Sequence, residues 1–179
     1  MKRKQFLSAA ITVVPLLSFP QLTKTKGPQK KPFMIAAGKG RFNESFLFNG
    51  KSPNDIKISK KDTADQLAVF EYTGYEKTGP ALHVHFFQDE IFYVVAGEYR
   101  FVAGDETMQL KAGDTIFLPR NIPHTWIQLT DTGKLVYFLQ PAGKMEEFTA
   151  TSATEGLDLG NYTCFCFKVK KVIKLFHKK

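Results

Sequence analysis

The chain has 179 residues, enough for one domain of ordinary size with a hydrophobic core of its own. Its formal charge of +8 is concentrated at the ends: residues 1–31 carry seven Lys or Arg and 168–179 carry six, neither with an acid. That leaves 12 basic against 17 acidic residues in 32–167, a net of −5, so the folded part offers no basic groove for nucleic acid.

The first segment reads as an address. Lys2-Arg3-Lys4 precedes an apolar stretch at 6–19 that Pro15 interrupts, too short for a stable membrane span. The pattern resembles a bacterial export signal, and Arg3-Lys4-Gln5-Phe6-Leu7 resembles a twin-arginine-like one. The expected location is therefore periplasmic or secreted. Lys24, Lys26, Gly27, Pro28, Lys30 and Lys31 read as a linker. The expected domains are a signal and linker at 1–31, a β-barrel at 32–148 and a basic tail at 149–179.

From residue 42 onward, short apolar runs are broken by turn residues every 8–12 positions, the pattern of an all-β sandwich or barrel. About ten short strands are expected, at 45–48, 55–59, 67–72, 82–86, 90–96, 99–103, 107–110, 115–118, 125–129 and 134–140. Asn49-Gly50 marks a hairpin turn. Short connections predict antiparallel hairpins between most neighbours. One helical turn is expected at 144–148. The tail fits a last strand, an amphipathic segment at a membrane surface or an aberrant end of the reading frame. Cys164 and Cys166 read as two unpaired thiols, because same-face strand neighbours are poorly oriented for a disulfide.

Three of the four histidines fall into one pattern with a glutamate. Gly79-x3-His83-x-His85-x4-Glu90-x6-Gly97 is followed by Gly113-x5-Pro119-x4-His124-x3-Gln128. On a strand at 82–86, His83 and His85 project from one face. A turn at Gln88-Asp89 brings Glu90 onto the next strand, among apolar neighbours where an unpartnered carboxylate is costly. Imidazole and carboxylate together suit a divalent transition metal: Fe, Mn, Ni, Co, Cu or Zn.

The two blocks resemble the paired motifs of the cupin superfamily, over about residues 40–140. The resemblance implies a single-domain, double-stranded β-helix (jelly-roll) barrel with one metal on His83, His85, Glu90 and His124. Asn121 stands where the second motif usually has glycine, and Asn tolerates the left-handed backbone that glycine supplies. Gln128 stands in place of a terminal asparagine.

The chain looks most like quercetin-dioxygenase-type bacterial cupins. That implies an oxidoreductase acting on a small aromatic or polyphenolic substrate, with Glu90 as ligand and proton acceptor. A sugar isomerase or epimerase is the alternative and would use Arg100 or Arg120. A non-catalytic small-ligand binder is the third reading. Family habit adds a homodimer. Phe46, Phe48, Phe70, Tyr72, Phe86, Phe92, Phe101, Trp126 and Phe138 are the candidate pocket walls.

Overall fold

The computed structural model describes residues 31–154, so the signal-like segment, the cysteines and most of the tail lie outside the described residues. Nine strands and two helices are present among these. They are β1 (Phe46–Phe48), β2 (Ser52–Ile58), α1 (Lys60–Thr63), β3 (Ala68–Gly74), β4 (Asp89–Ala96) and β5 (Glu98–Ala103). Then follow β6 (Glu106–Lys111), β7 (Thr115–Leu118), β8 (His124–Gln128), β9 (Gly133–Gln140) and α2 (Met145–Thr154).

Six strands form one sheet in the order β1-β2-β3-β9-β4-β7, and three form a second in the order β6-β5-β8. Every pair is antiparallel. This is the jelly-roll arrangement expected of the motifs. The expectation of simple hairpins is corrected. β9 lies between β3 and β4, and β8 pairs with β5, so most pairings join strands distant in sequence. Closing two sheets over one core demands these crossings, and local turn signals do not announce them.

The turns that form do so for local reasons. Asn49 and Gly50 both have positive φ, at 51° and 73°, and the Lys51 N–H donates to the Phe48 carbonyl at 3.2 Å. That geometry joins β1 to β2 with the twist that antiparallel strands need. α1 is a single capped turn: the Ser59 hydroxyl accepts from the Lys61 N–H, and Asp62 accepts from the Ser59 N–H at 3.0 Å. α2 runs well past the one turn expected at 144–148.

Strand alternation builds the interior. Leu135, Tyr137 and Leu139 of β9 are buried while Lys134, Val136 and Phe138 are half-buried on the other face. Glu90, Phe92 and Val94 of β4 are buried while Tyr93 and Val95 are exposed. Phe70, Tyr72, Tyr99, Phe101 and Trp126 complete an unusually aromatic core. Burying such side chains supplies most of the driving force for the fold, at about 25 cal/mol per Å² of apolar surface. No helix among the described residues is long and apolar enough to cross a membrane.

Candidate metal centre

Residues 82–86 are not a strand, contrary to expectation. His83 forms an isolated antiparallel bridge with His124, donating and accepting at 3.0 and 2.8 Å. Around it, the Thr125 hydroxyl donates to the Pro80 carbonyl at 2.7 Å and the Gln128 N–H to the Thr78 carbonyl at 3.0 Å. An irregular segment is thus laced along β8. Gly79 is what permits this approach, since a Cβ there would lie 1.7 Å from the Trp126 carbonyl oxygen. The His85 carbonyl is taken by the Asn121 N–H at 2.7 Å rather than by a sheet neighbour. Asn121 has φ 68°, the left-handed backbone expected at this position. The chain bends at Phe86 and Phe87, ahead of Gln88-Asp89, and Asp89 already belongs to β4.

This lacing brings His83, His85, Glu90 and His124 together, with one donor atom from each lying within 4.8 Å of all the others. His124 Nε2 is 3.1 Å from Glu90 Oε2, and His85 Nε2 is 3.6 Å from the same oxygen. The His83 and His124 rings are centred 4.5 Å apart. His85, Glu90 and His124 are buried and His83 is half-buried. His83 Nδ1 lies 2.8 Å from the Ala81 carbonyl and His124 Nδ1 lies 2.9 Å from the Ile122 carbonyl. A carbonyl only accepts, so both rings carry a proton on Nδ1 and turn Nε2 to the cluster, where that of the metal-free His124 also donates to Glu90 Oε2. His85 Nε2 is buried with no hydrogen-bond partner.

These observations fit a divalent cation. Donors about 2.1 Å from one ion lie at most about 4.2 Å apart, close to the spread here. An orphaned imidazole nitrogen beside a buried carboxylate is an unfavourable arrangement that a cation relieves.

The electrostatics agree. Burial opposes ionisation of Glu90, but His124 and His85 outweigh it and hold the carboxyl well below the usual range. Burial works against a charged His124 too, yet the Glu90 contact raises its pKa above the ordinary value. Burial, reinforced by His124, pushes the His83 imidazole down to about 4. An unfolded histidine titrates near about 6.5. Between those values the unfolded chain binds the proton and the folded one does not, so stability falls as pH falls. His124 works in the opposite sense: its contribution is complete below about 6.5 and fades as pH rises through its folded value. Chemical unfolding of the metal-free protein between pH 7 and 4 should therefore show His83→Asn to be less acid-sensitive than the parent. An unchanged slope contradicts the burial argument.

A cavity of about 530 Å³ adjoins the cluster, within the size range of small-molecule sites. Its wall includes His83, Glu90, Phe48, Tyr72, Phe92 and Trp126. Phe46, Phe70, Phe86, Phe101 and Phe138 were candidate walls but do not line it. Phe138 fails by strand parity, since Tyr137 takes the inward position. Asn54, Tyr137, Met145, Phe148 and Thr149 line it and were not expected. Inward parity along β9 was the available signal for Tyr137. Asn54 fell just before the strand expected at 55–59, whereas β2 begins at Ser52.

Arg120 is held at the surface by a bidentate pair with Asp89, whose carboxyl the Arg120 hydrogen bonds draw down to about 2. Arg100 lies on β5, in register with Gln109 and Ile127. Neither lines the cavity. Gln128 accepts from the Tyr99 hydroxyl at 3.2 Å and donates to the Thr130 carbonyl at 2.9 Å, a core tie rather than a cavity contact.

Residues 69–139 match the Cupin domain family. An uncharacterized protein of Methanocaldococcus jannaschii is 37% identical over 104 residues, covering 58% of this chain and 74% of that one. The chain belongs to the cupin superfamily. The cupin is also 27% identical to the quercetin 2,3-dioxygenase of Bacillus subtilis over 120 residues, which cover 67% of this chain but only 34% of that enzyme. An RmlC-like cupin from Shewanella frigidimarina shares its fold with a TM-score of 0.54 at 19% identity, covering 65% of this chain and 96% of that one. A double-stranded β-helix protein from Klebsiella pneumoniae does so with a TM-score of 0.50 at 17% identity, covering 64% of this chain and 93% of that one.

Proposed function

We propose that this cupin is a metal-dependent oxidoreductase of the dioxygenase type, acting on a small aromatic or polyphenolic substrate. His83, His85, Glu90 and His124 would hold one divalent transition metal: Fe, Mn, Ni, Co, Cu or Zn. The observation that carries the reading is the cavity beside this cluster, walled by Phe48, Tyr72, Phe92 and Trp126 with no Lys or Arg among its lining residues. Flat apolar walls favour a planar ring system. A sugar phosphate would need a cation to receive it, and the two arginines of the alternative reading lie elsewhere. The similarity to the Bacillus subtilis enzyme supports the same reaction class.

When bound, the metal would supply Lewis acidity and, for the redox-active members of the series (all but Zn), redox chemistry. The protein supplies the rest. The aromatic walls orient the substrate and exclude water. Glu90, kept ionised by its histidine neighbours, would accept a substrate hydroxyl proton. Export through residues 1–31 and pairing into a homodimer belong to the same proposal, and neither enters the chemistry of the site.

The test is oxygen uptake by the full chain, loaded in turn with each of the six metals and offered flavonols and catechols. Consumption with at least one metal is expected. No uptake with any of them overturns the dioxygenase reading.

A further inference from the structure

Asn54 and Tyr137 meet inside the cavity although they are 83 positions apart in sequence. The Asn54 amide donates to the Tyr137 hydroxyl at 2.9 Å, and the hydroxyl donates back to Asn54 Oδ1 at 3.0 Å. Both residues are nearly inaccessible, at 9% and 7% relative exposure. No other side-chain hydrogen bond of either is present among the described residues.

The ring of Tyr137 is fixed. Phe70 stacks on it from β3 at 4.9 Å and 8°, and Phe92 from β4 at 5.2 Å and 24°. Tyr137 also lies one inward-facing position along β9 from the cross-strand partner of Glu90. Glu90 faces Leu139 across β4 and β9, so Tyr137 is its diagonal neighbour, roughly 7 Å away.

We propose that Asn54 and Tyr137 determine specificity by reading a neutral hydroxyl or carbonyl of the substrate remote from its metal-binding edge. This rests on the reading of the cavity as a site for a metal-chelating aromatic compound. An amide has two donors and an acceptor with two lone pairs, and a phenol one donor and two lone pairs. The contact between them uses only part of that capacity. A ligand hydroxyl can donate to Asn54 Oδ1 and accept the free amide N–H without leaving either residue unsatisfied. An anionic group at the same place is disfavoured, because no Lys or Arg lines the cavity and Glu90 is the nearest charge. The clamped ring sets the position in advance, so little order is lost on binding.

The chain has a single tryptophan, and Trp126 lines this cavity, so its emission reports occupancy directly. The metal-loaded full chain is titrated with quercetin and with 3-hydroxyflavone, which keeps the chelating oxygen pair but lacks the remote hydroxyls. The parent should bind quercetin about tenfold more tightly, the scale of one good hydrogen bond. Tyr137→Phe and Asn54→Ala should each abolish that gap, leaving 3-hydroxyflavone affinity within about twofold and metal content unchanged. Should Tyr137→Phe fail to fold, Asn54→Ala carries the same test. Equal affinity of the parent for both flavonols, or a gap that survives both substitutions, overturns this proposal alone. If neither flavonol quenches the parent, the aromatic-substrate reading falls with it.

Discussion

His124→Ala should remove the metal and also cost the metal-free protein about 3 kcal/mol. The two effects have different origins. Metal affinity should fall at least about 100-fold, because a donor held in place by its Nδ1 contact to the Ile122 carbonyl is gone. The stability loss comes from Glu90. Its carboxylate is buried, and the imidazole at 3.1 Å is its nearest partner, with His85 at 3.6 Å. Taking away one member of a buried pair leaves an uncompensated charge. The converse substitution should be milder, since an abandoned imidazole is neutral near pH 7 at little cost, while an abandoned buried carboxylate stays charged or must take up a proton against its ordinary pKa. Chemical unfolding of metal-free His124→Ala, Glu90→Gln and the double variant measures this. The double variant should recover most of the loss. A metal-free His124→Ala as stable as the parent contradicts the pairing.

Gly79→Ala is expected to cost about 3 kcal/mol or more, the upper range for overpacking. The added methyl would lie 1.7 Å from the Trp126 carbonyl oxygen and 3.2 Å from the Ile127 Cα, both backbone atoms that no side-chain rotation can move. The seam along β8 must open. Because His83 is anchored in that seam, metal affinity should drop as well. Gly113→Ala is the control. It has φ +96° but nothing within 4 Å of the added carbon, so it should show only backbone strain of about 1–2 kcal/mol and keep its metal. Thermal unfolding and metal content of the two variants check the contrast. Equal losses in both contradict a steric role for Gly79.

The sequence disclosed what depends on short-range order. Alternation of Glu90, Phe92 and Val94 fixed which face of β4 is buried, and Asn49-Gly50 fixed the first hairpin. The convergence of His83, His85, Glu90 and His124 was legible because paired glycine and proline signals bracket the donors. The route to that convergence was not. His83 reaches the cluster through a single bridge to β8, not through a strand, and the glycine that permits it faces a carbonyl 47 positions away. The meeting of Tyr137 with Asn54 was illegible for the same reason. Strand parity shows that Tyr137 points inward, but only the order β2-β3-β9 places Asn54 in its reach. The extension of α2 beyond one turn was not legible because Thr149 to Thr154 carry little apolar pattern, and sequence periodicity marks only helices with a clear buried stripe.

X-ray absorption on the full chain loaded with each of the six metals in turn bears most directly on the four-donor centre. One ion per chain is expected, coordinated by three imidazoles and one carboxylate, with the imidazole signal reduced by one in His85→Ala. Retention of no ion from the series, or a bound ion whose coordination lacks histidine, would show that the buried cluster is only a hydrogen-bonded core.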